Sequence, residues 1–434
     1  MSNNTQHARR RDFDLVVLGA TGVTGRLVVA RLVELSRGAA EPLRWAAAGR
    51  SSERLIAALA EASSAAPVVH VDIRDQTTLA AVAARTHVLL NAAGPYSDTA
   101  EDVIEACIEA GTSYVDLSGE IPLLRRVNAR FDQTAVRAGV AVVQMAGWEA
   151  FPADLTTLVA CHDAGEGNVG ADGPGAGGTI RSVHVDVTFT RVPDRMRLLQ
   201  SVSGGTVGSI ARQLVDAGAN AIRDPASLLP AEGDARAVRR MSPFRFRPHR
   251  AHGRVLGPMI PVAFLNPPIV HRTAALLARE AGTAHLPAQY SEGMDRGAAR
   301  GAAGSIRLLR ATPAAVAQRA LISTTILPSL FRRKIASVLI HAVPAGSGPS
   351  GEALTDWAWE VSARVTAHDG VRASATLHGE GHPGYTATAS MIVATAQALI
   401  DNPRTGCMTP ALALGVDRIR ALNLPGLHLV VEPG

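Results

Sequence analysis

A chain of 434 residues, 47% hydrophobic and 19% charged, is too long for one core and too apolar for disorder, so it reads as a globular protein with two domains as the working number. The net charge of +5 is scattered, with runs of three cations only at Arg9–Arg11 and Arg332–Lys334 and no aromatics interleaved, which argues for an anionic cofactor and against nucleic acid. Cys107, Cys161 and Cys407 are too far apart for a disulfide framework or a zinc ligand set, so no metal is expected and a reducing, cytoplasmic compartment is.

The first apolar run, Leu15–Leu18, is too short for a signal peptide and reads as a strand. It leads into Gly19-Ala20-Thr21-Gly22-Val23-Thr24-Gly25 and then a helical pattern to about Leu35. Strand, glycine turn and helix form a pyrophosphate site, because glycine lets the backbone approach the phosphates and the helix N-terminus presents free N–H groups. Gly19, Gly22 and Gly25 supply the turn, Val23 the first helical N–H, and Thr21 and Thr24 hydroxyl donors. The Gly-x-x-Gly-x-x-Gly spacing is a looser form of the dinucleotide fingerprint.

Alternation continues with strands at Leu43–Ala48, Val68–Val71, Val88–Ala92, Tyr114–Leu117 and Val140–Met145. Between them lie helices at Ser52–Ala62, Gln76–Ala84, Ala100–Ala110 and Leu123–Arg137. This predicts an α/β fold: an N-terminal Rossmann-like, doubly wound parallel sheet that binds its ligand at the carboxyl ends of the strands. The second strand ends in Arg50-Ser51 where an NAD-specific domain would place a carboxylate; these two residues suit a 2′-phosphate, so NADP(H) is the expected cofactor. Asp72 reads equally as an adenine contact or a turn cap. After the fourth strand, Ala93-Gly94-Pro95 gives close backbone passage beside the nicotinamide, and Tyr96 is expected to project toward the reactive end.

Further on, Ala164–Gly178 is glycine-rich and reads as a loop. Val183, Val185, Val187 and Phe189 alternate with polar residues as a half-buried strand, a helix follows over Thr206–Ala217, and Trp359–Val365 and Val371–Leu377 flank an Asp369-Gly370 turn as a hairpin. The expected division is a dinucleotide-binding domain over 1–150, an α+β domain with a mixed sheet over 151–383 that contacts substrate and forms a homodimer, and a helical segment over 384–434 returning to the first domain. No run reaches the roughly 18 apolar residues of a membrane span. Val255–Leu265 and Ala320–Val343 read as buried or dimer-interface helices, with peripheral membrane contact the alternative for a lipid substrate.

The glycine turn, Gly49-Arg50-Ser51, Gly94-Pro95-Tyr96 and Gly111-Thr112-Ser113-Tyr114-Val115-Asp116-Leu117-Ser118-Gly119-Glu120 together resemble the saccharopine dehydrogenase-like oxidoreductases, specifically the branch with bacterial trans-acting enoyl reductases. Later segments are similar in the same order: Ser203–Thr206, Gly348–Ser350, Gly384–Ala389 and Thr409-Pro410. The resemblance implies that the last helix, Thr386–Ile400, packs on the cofactor domain and that the loop after the sixth strand lines the substrate pocket. In that loop the family pattern Gly-Phe-Asp-Ser-(Ile/Val)-Pro-Ser-Asp is replaced by Gly147-Trp148-Glu149-Ala150-Phe151-Pro152-Ala153-Asp154, so substrate choice is expected to differ.

Lys334 is the only lysine and Leu330 stands four residues before it, which excludes a tyrosine–lysine proton relay and a Schiff base. Tyr96, Glu149 and Asp154 remain as candidate catalytic groups. The leading expectation is NADPH-dependent reduction of an enoyl C=C bond on a lipid or polyketide-like substrate. An imine or amino-acid (saccharopine-type) reductase of secondary metabolism is the alternative, and a non-catalytic NADP-binding regulator or scaffold is the alternative of another class.

Overall fold

The computed structural model describes residues 11–37, 41–166, 179–193, 204–260, 263–342 and 351–433. Arg9, Arg10, residues 167–178 of the glycine-rich stretch, Pro261, Ser203 and Gly348–Ser350 lie outside them.

The first half alternates strand and helix without interruption: β1 (Phe13–Leu18), α1 (Val23–Ser36), β2 (Trp45–Gly49), α2 (Ser52–Glu61), β3 (Val68–His70), α3 (Gln76–Ala83) and β4 (Thr86–Asn91). It continues as α4 (Ala100–Ala110), β5 (Ser113–Asp116), α5 (Ile121–Ala138) and β6 (Ala141–Val143). Local chemistry fixes these boundaries. Ser51 and Asp75 cap α2 and α3 with side-chain oxygens, and Gly111 and Gly139 end α4 and α5 in the left-handed conformation that glycine adopts without strain.

The chain then enters a second body: α6 (Phe151–Glu166), β7 (Ile180–Arg191), α7 (Gly204–Val215), α8 (Ala235–Met241), β8 (His249–Ala251), β9 (Arg254–Gly257), α9 (Asn266–Glu280) and β10 (Gln289–Ala298). Next come α10 (Gly301–Ser323), α11 (Ser329–Ala342), α12 (Glu352–Thr355), β11 (Ala358–Ala367) and β12 (Arg372–Glu380). A π-type turn at Pro383–Ala387 leads into α13 (Thr388–Asp401), β13 (Gly406–Met408), α14 (Pro410–Leu414), α15 (Val416–Arg420), β14 (Asn423–Leu424) and β15 (Leu427–Pro433).

The first sheet has the order β13-β6-β5-β4-β1-β2-β3, and every pairing is parallel. Both of its faces are covered, so successive residues of β1 enter opposite cores: Val16 and Leu18 one, Leu15 and Val17 the other. The reversal of strand order between β1 and β4 opens the crevice in which such sheets bind nucleotides. The fold is α/β and Rossmann-like, with a second, mixed sheet.

That sheet has the order β14-β15-β12-β11-β7-β10-β9-β8; β7 and β10 are parallel and the other pairs antiparallel. The β11–β12 hairpin turns at Gly370, φ 92°, and α6 lies across one face over a core that includes Val185, Val361 and Leu377. Trp359 fits only because Gly379 opposite it lacks a side chain: a Cβ there would sit 2.0 Å from the indole ring.

Residues 384–434 hold more than helix. β13 extends the first sheet and β15 the second, while α13 packs on α1 and β4. Within Val255–Leu265, Val255, Leu256, Phe264 and Leu265 are buried. Ala320–Val343 departs from the buried reading, since Ile326, Leu327, Leu330, Phe331 and Val338 are all exposed. No helix among the described residues is long and apolar enough to cross a membrane.

Candidate active site

The glycine turn is dictated by close approach. Gly19 has φ 84°, and a Cβ on it would lie 2.7 Å from the Ala93 nitrogen at the end of β4; one on Gly25 would lie 2.1 Å from the Gly19 carbonyl. Gly22 is the open member, because only the Gly19 carbonyl, at 3.5 Å, would face its Cβ. As the residue preceding α1 it leaves the N–H groups of Val23, Thr24 and Gly25 without intrahelical acceptors, at the positive end of the helix.

Two cavities flank this turn and share Gly94 and Pro95. The first, 270 Å³, runs over the ends of β1, β2 and β3 and is walled by Gly19, Thr21, Arg50, Ser51 and Asp72, together with Arg54 and Arg74. None of the three guanidinium groups has an ion-pair partner among the described residues. Three unpaired cations around a glycine cradle fit the pyrophosphate and 2′-phosphate of NADP, which these residues would hold. Ser51 accepts from the Arg54 N–H at 3.3 Å, and its own hydroxyl proton stays available for donation. Asp72 Oδ1 accepts from the Arg74 N–H at 3.1 Å, so its turn-capping role is real even though it also lines the cavity.

The second cavity, 460 Å³, begins at Gly22–Thr24 and passes Tyr96, Glu149, Tyr385 and Thr388, with α7 as its far wall. Beneath it lies a buried polar network. Asn91 donates to the Tyr114 hydroxyl at 2.9 Å, Tyr114 to Asp116 at 2.9 Å, and the Ser118 hydroxyl to the other Asp116 oxygen at 2.8 Å. Gln144 donates to Ser118 at 3.0 Å. Each group is satisfied, which makes the floor rigid.

Tyr96 lines this cavity with its ring, but its hydroxyl donates to the Asn91 backbone carbonyl at 3.3 Å and so turns toward the end of β4. Burial, reinforced by the negative charges of Asp116, Glu149 and Glu120, holds the phenol well above its usual range. The Tyr96 ring thus reaches the cavity while its hydroxyl is engaged below it.

Glu149 is the carboxyl that faces the cavity. It sits between Gly119 and Gly147, whose missing side chains give it room: a Cβ on Gly147 would be 3.1 Å from its Oε2. Burial raises its pKa, which favours the protonated acid. Asp154 lies away from both cavities. It is fully buried behind the loop, where Oδ1 accepts from the Thr273 hydroxyl at 2.5 Å and Oδ2 from the Ala411 N–H at 3.0 Å. Both oxygens are committed to tying α6 to α9 and α14. Its pKa is pushed up to about 7 by burial, but it lines neither cavity.

Trp148, the enlarged aromatic of this loop, does not cover the cavity. Its ring meets Trp359 edge-on at 4.5 Å and docks the loop on the second sheet. A narrow slot opens there beyond Glu149 and Leu265, lined by Trp148, Val187, Met259 and Val361.

Residues 15–143 match the family profile "Saccharopine dehydrogenase NADP binding domain". The chain is similar to the saccharopine dehydrogenase-like oxidoreductases, and it shares their NADP-binding domain over those residues. Its first domain binds NADP(H), and the protein is an NAD(P)-dependent oxidoreductase. A Mycobacterium tuberculosis protein named among the trans-acting enoyl reductases is 29% identical over 97% of this chain and 98% of its own. The trans-acting enoyl reductase of Mycobacterium bovis is 28% identical over 97% of both chains. Saccharopine dehydrogenase (L-Glu forming) from Saccharomyces cerevisiae shares the fold at a TM-score of 0.50 and 14% identity, covering 97% of this chain and 100% of that one.

Sequence reasoning missed Arg54 and Arg74, whose placement depends on the first turn of α2 and the turn after β3. It also missed Tyr385, although the segment containing it was singled out. Glu120 is another omission. Fully buried at the start of α5, it accepts from Ser97 and, at 2.9 Å, from Ser209 on α7, and so holds the cavity's far wall to the first sheet. Burial pushes its pKa up to about 7 against the opposing pull of Ser209 and Arg212.

Proposed function

We propose that this oxidoreductase reduces the carbon–carbon double bond of an enoyl substrate borne on a lipid or polyketide-like chain, with Glu149 as the proton donor. NADPH, held by the glycine turn and the arginines of the first cavity, would supply the hydride. Reduction of an enoyl group also needs one proton at the neighbouring carbon, and the protein must deliver it. Glu149 is suited to this role because it is the carboxyl lining the second cavity, which begins at the glycine turn, and burial raises its pKa, which favours the protonated acid. That observation carries the reading. Gln213 on α7, whose side-chain oxygen accepts from the Ile121 N–H at 3.1 Å, has its amide N–H groups for orienting a thioester or ester carbonyl, and Tyr96 walls the reacting region from water.

The apolar walls support the substrate class. Leu117, Ile210, Leu265 and Ile340 line the cavity. A hydrocarbon chain has apolar surface to lie on there. An amino-acid substrate would need a free cation for its carboxylate, whereas the arginine of this cavity, Arg212, is paired with Asp98 at 3.3 Å. The two mycobacterial relatives named above support the enoyl reading through their names.

The test is NADPH oxidation by the purified protein offered enoyl thioesters of increasing chain length, with cyclic imines and 2-oxo acid plus amine pairs as comparison. The proposal expects turnover of the enoyl series that improves with chain length. Turnover confined to the imines, or NADPH binding with no oxidation by any of them, overturns it.

A further inference from the structure

A long exposed apolar surface belongs to α10, α11 and the turn between them. α10 has two apolar faces. Gly304, Ala311, Ala315 and Ile322 are buried, while Ala302, Ile306, Leu309, Pro313, Val316 and Ala320 form an exposed stripe on the opposite side at helical spacing. At roughly 100° per residue, the exposed Arg310 and Arg319 fall about 90° to either side of that stripe. The turn continues the surface: Ile326 is 65% exposed, Leu330 63% and Phe331 55%, followed at once by the exposed Arg333 and Lys334.

Charge gives this surface a direction. From Arg296 to Gly351 the sequence holds eight arginine and lysine residues and no aspartate or glutamate. Arg310, Arg319, Arg333 and Lys334 have no acidic partner among the described residues. A soluble surface normally mixes both signs and scatters its apolar residues singly. Apolar side chains flanked only by cations match a bilayer interface with anionic headgroups, where the alkyl groups enter the acyl boundary and the long basic side chains reach back to phosphate.

We infer that α10, α11 and their connecting turn form a monotopic membrane anchor that docks on anionic phospholipid. The occupant is the lipid surface itself. Neither helix spans the bilayer, and the turn Ile326–Phe331 enters the interface beside the basic run. The position of the anchor fits a lipid-borne substrate. α11 lies along α7, the far wall of the second cavity, and contributes Ile340 to its lining. Arg332 fastens the two helices by donating to the Leu214 carbonyl at 2.8 Å. The inference stands apart from the reaction proposed above, because docking needs neither cofactor nor substrate.

Co-sedimentation of the full chain with vesicles tests it, using phosphatidylcholine alone and phosphatidylcholine with about 30 mol% phosphatidylglycerol. The expected result is binding to the anionic vesicles that weakens as salt is raised. Arg333→Glu/Lys334→Glu should partition at least ~20-fold less, and Leu330→Asp/Phe331→Asp should stay in the supernatant. All four positions are exposed, so both variants should keep the wild-type Tm and NADPH affinity, and that control is read in parallel. Wild-type protein that sediments with neither vesicle overturns the inference, as does undiminished binding by the Asp pair. A vesicle-free dimer that Leu330→Asp/Phe331→Asp converts to monomer would assign the surface to a second copy of the chain, and capture by an acidic protein in place of lipid would assign it to that partner. Either result overturns the lipid assignment.

Discussion

Thr388 Oγ1 accepts a hydrogen bond from the Trp148 backbone N–H at 3.1 Å and donates to the Pro383 carbonyl at 3.0 Å. One hydroxyl therefore holds both the loop that carries Glu149 and the turn that carries Tyr385, although the loop and the turn are far apart in sequence. Thr388→Val preserves shape and removes both bonds. Because misplacement of a reacting group by about 1 Å can cost ~10²-fold, kcat should fall by about 10–100-fold while the NADPH Kd changes less than ~3-fold. Thr388→Ser should restore most of the activity. Steady-state kinetics beside cofactor titration checks this, and an equal loss of NADPH affinity would assign Thr388 to the cofactor instead.

If Glu149 donates the proton, Glu149→Gln should lower kcat by roughly 10²–10⁴-fold with NADPH binding intact. Tyr96→Phe should cost less than ~10-fold, because the hydroxyl it removes is spent on Asn91. The pH profile follows from the direction of the Glu149 shift. The acid must be protonated to act, and burial raises its pKa, so kcat should stay level at low pH and decline as pH rises through that raised value. The decline should be absent in Glu149→Gln.

The arginines at the end of the cofactor cleft should act on NADPH and leave NADH alone. A charge-assisted hydrogen bond contributes about 1.5–3 kcal/mol, so Arg50→Ala should weaken NADPH binding by roughly 10–100-fold. The Arg50→Ala/Arg54→Ala/Arg74→Ala variant should bind the two cofactors equally. Calorimetric titration with each cofactor reads this, and a parallel loss for NADH would show that these residues hold the pyrophosphate instead.

Asp154 should govern stability and its dependence on pH. A carboxyl raised from 3.8 to about 7 on folding binds more proton in the folded state, so its contribution to stability falls as pH rises across that window and is level on either side. Asp154→Asn removes this slope: measured as Tm against pH, the variant should gain on the wild type between about pH 4 and pH 7. Asp154→Ala strands the Ala411 N–H and leaves the Thr273 hydroxyl with Thr409 alone, and should cost about 1–3 kcal/mol, with activity per folded molecule retained.

The cofactor half was readable because its signals are local: the turn from Gly19 to Gly25, the caps and the β1–β6 alternation all depend on near neighbours in sequence. The second half was readable only where one face of a strand is buried, as along Val183–Val187 and Trp359–Val365. Short strands such as β8 and β9 carry too few residues to show a period. Asp154 and Glu149 illustrate the limit at the site. They are five residues apart, one in the loop before α6 and the other in its first turn, with similar chemistry, and only the partners contributed by α9 and α14 tell the buried tie from the carboxyl facing the cavity. Arg54 and Arg74 were invisible because their convergence depends on how two separate turns meet.

Placing β13 on the outer side of β6 has a consequence for biosynthesis. Ala141–Val143 emerges from the ribosome long before Gly406–Met408, its partner at the sheet margin. Synthesis at roughly 5–20 residues per second leaves that apolar margin uncovered for tens of seconds. The nascent first domain therefore offers an open strand edge of the kind that templates wrong pairing until the returning chain closes it.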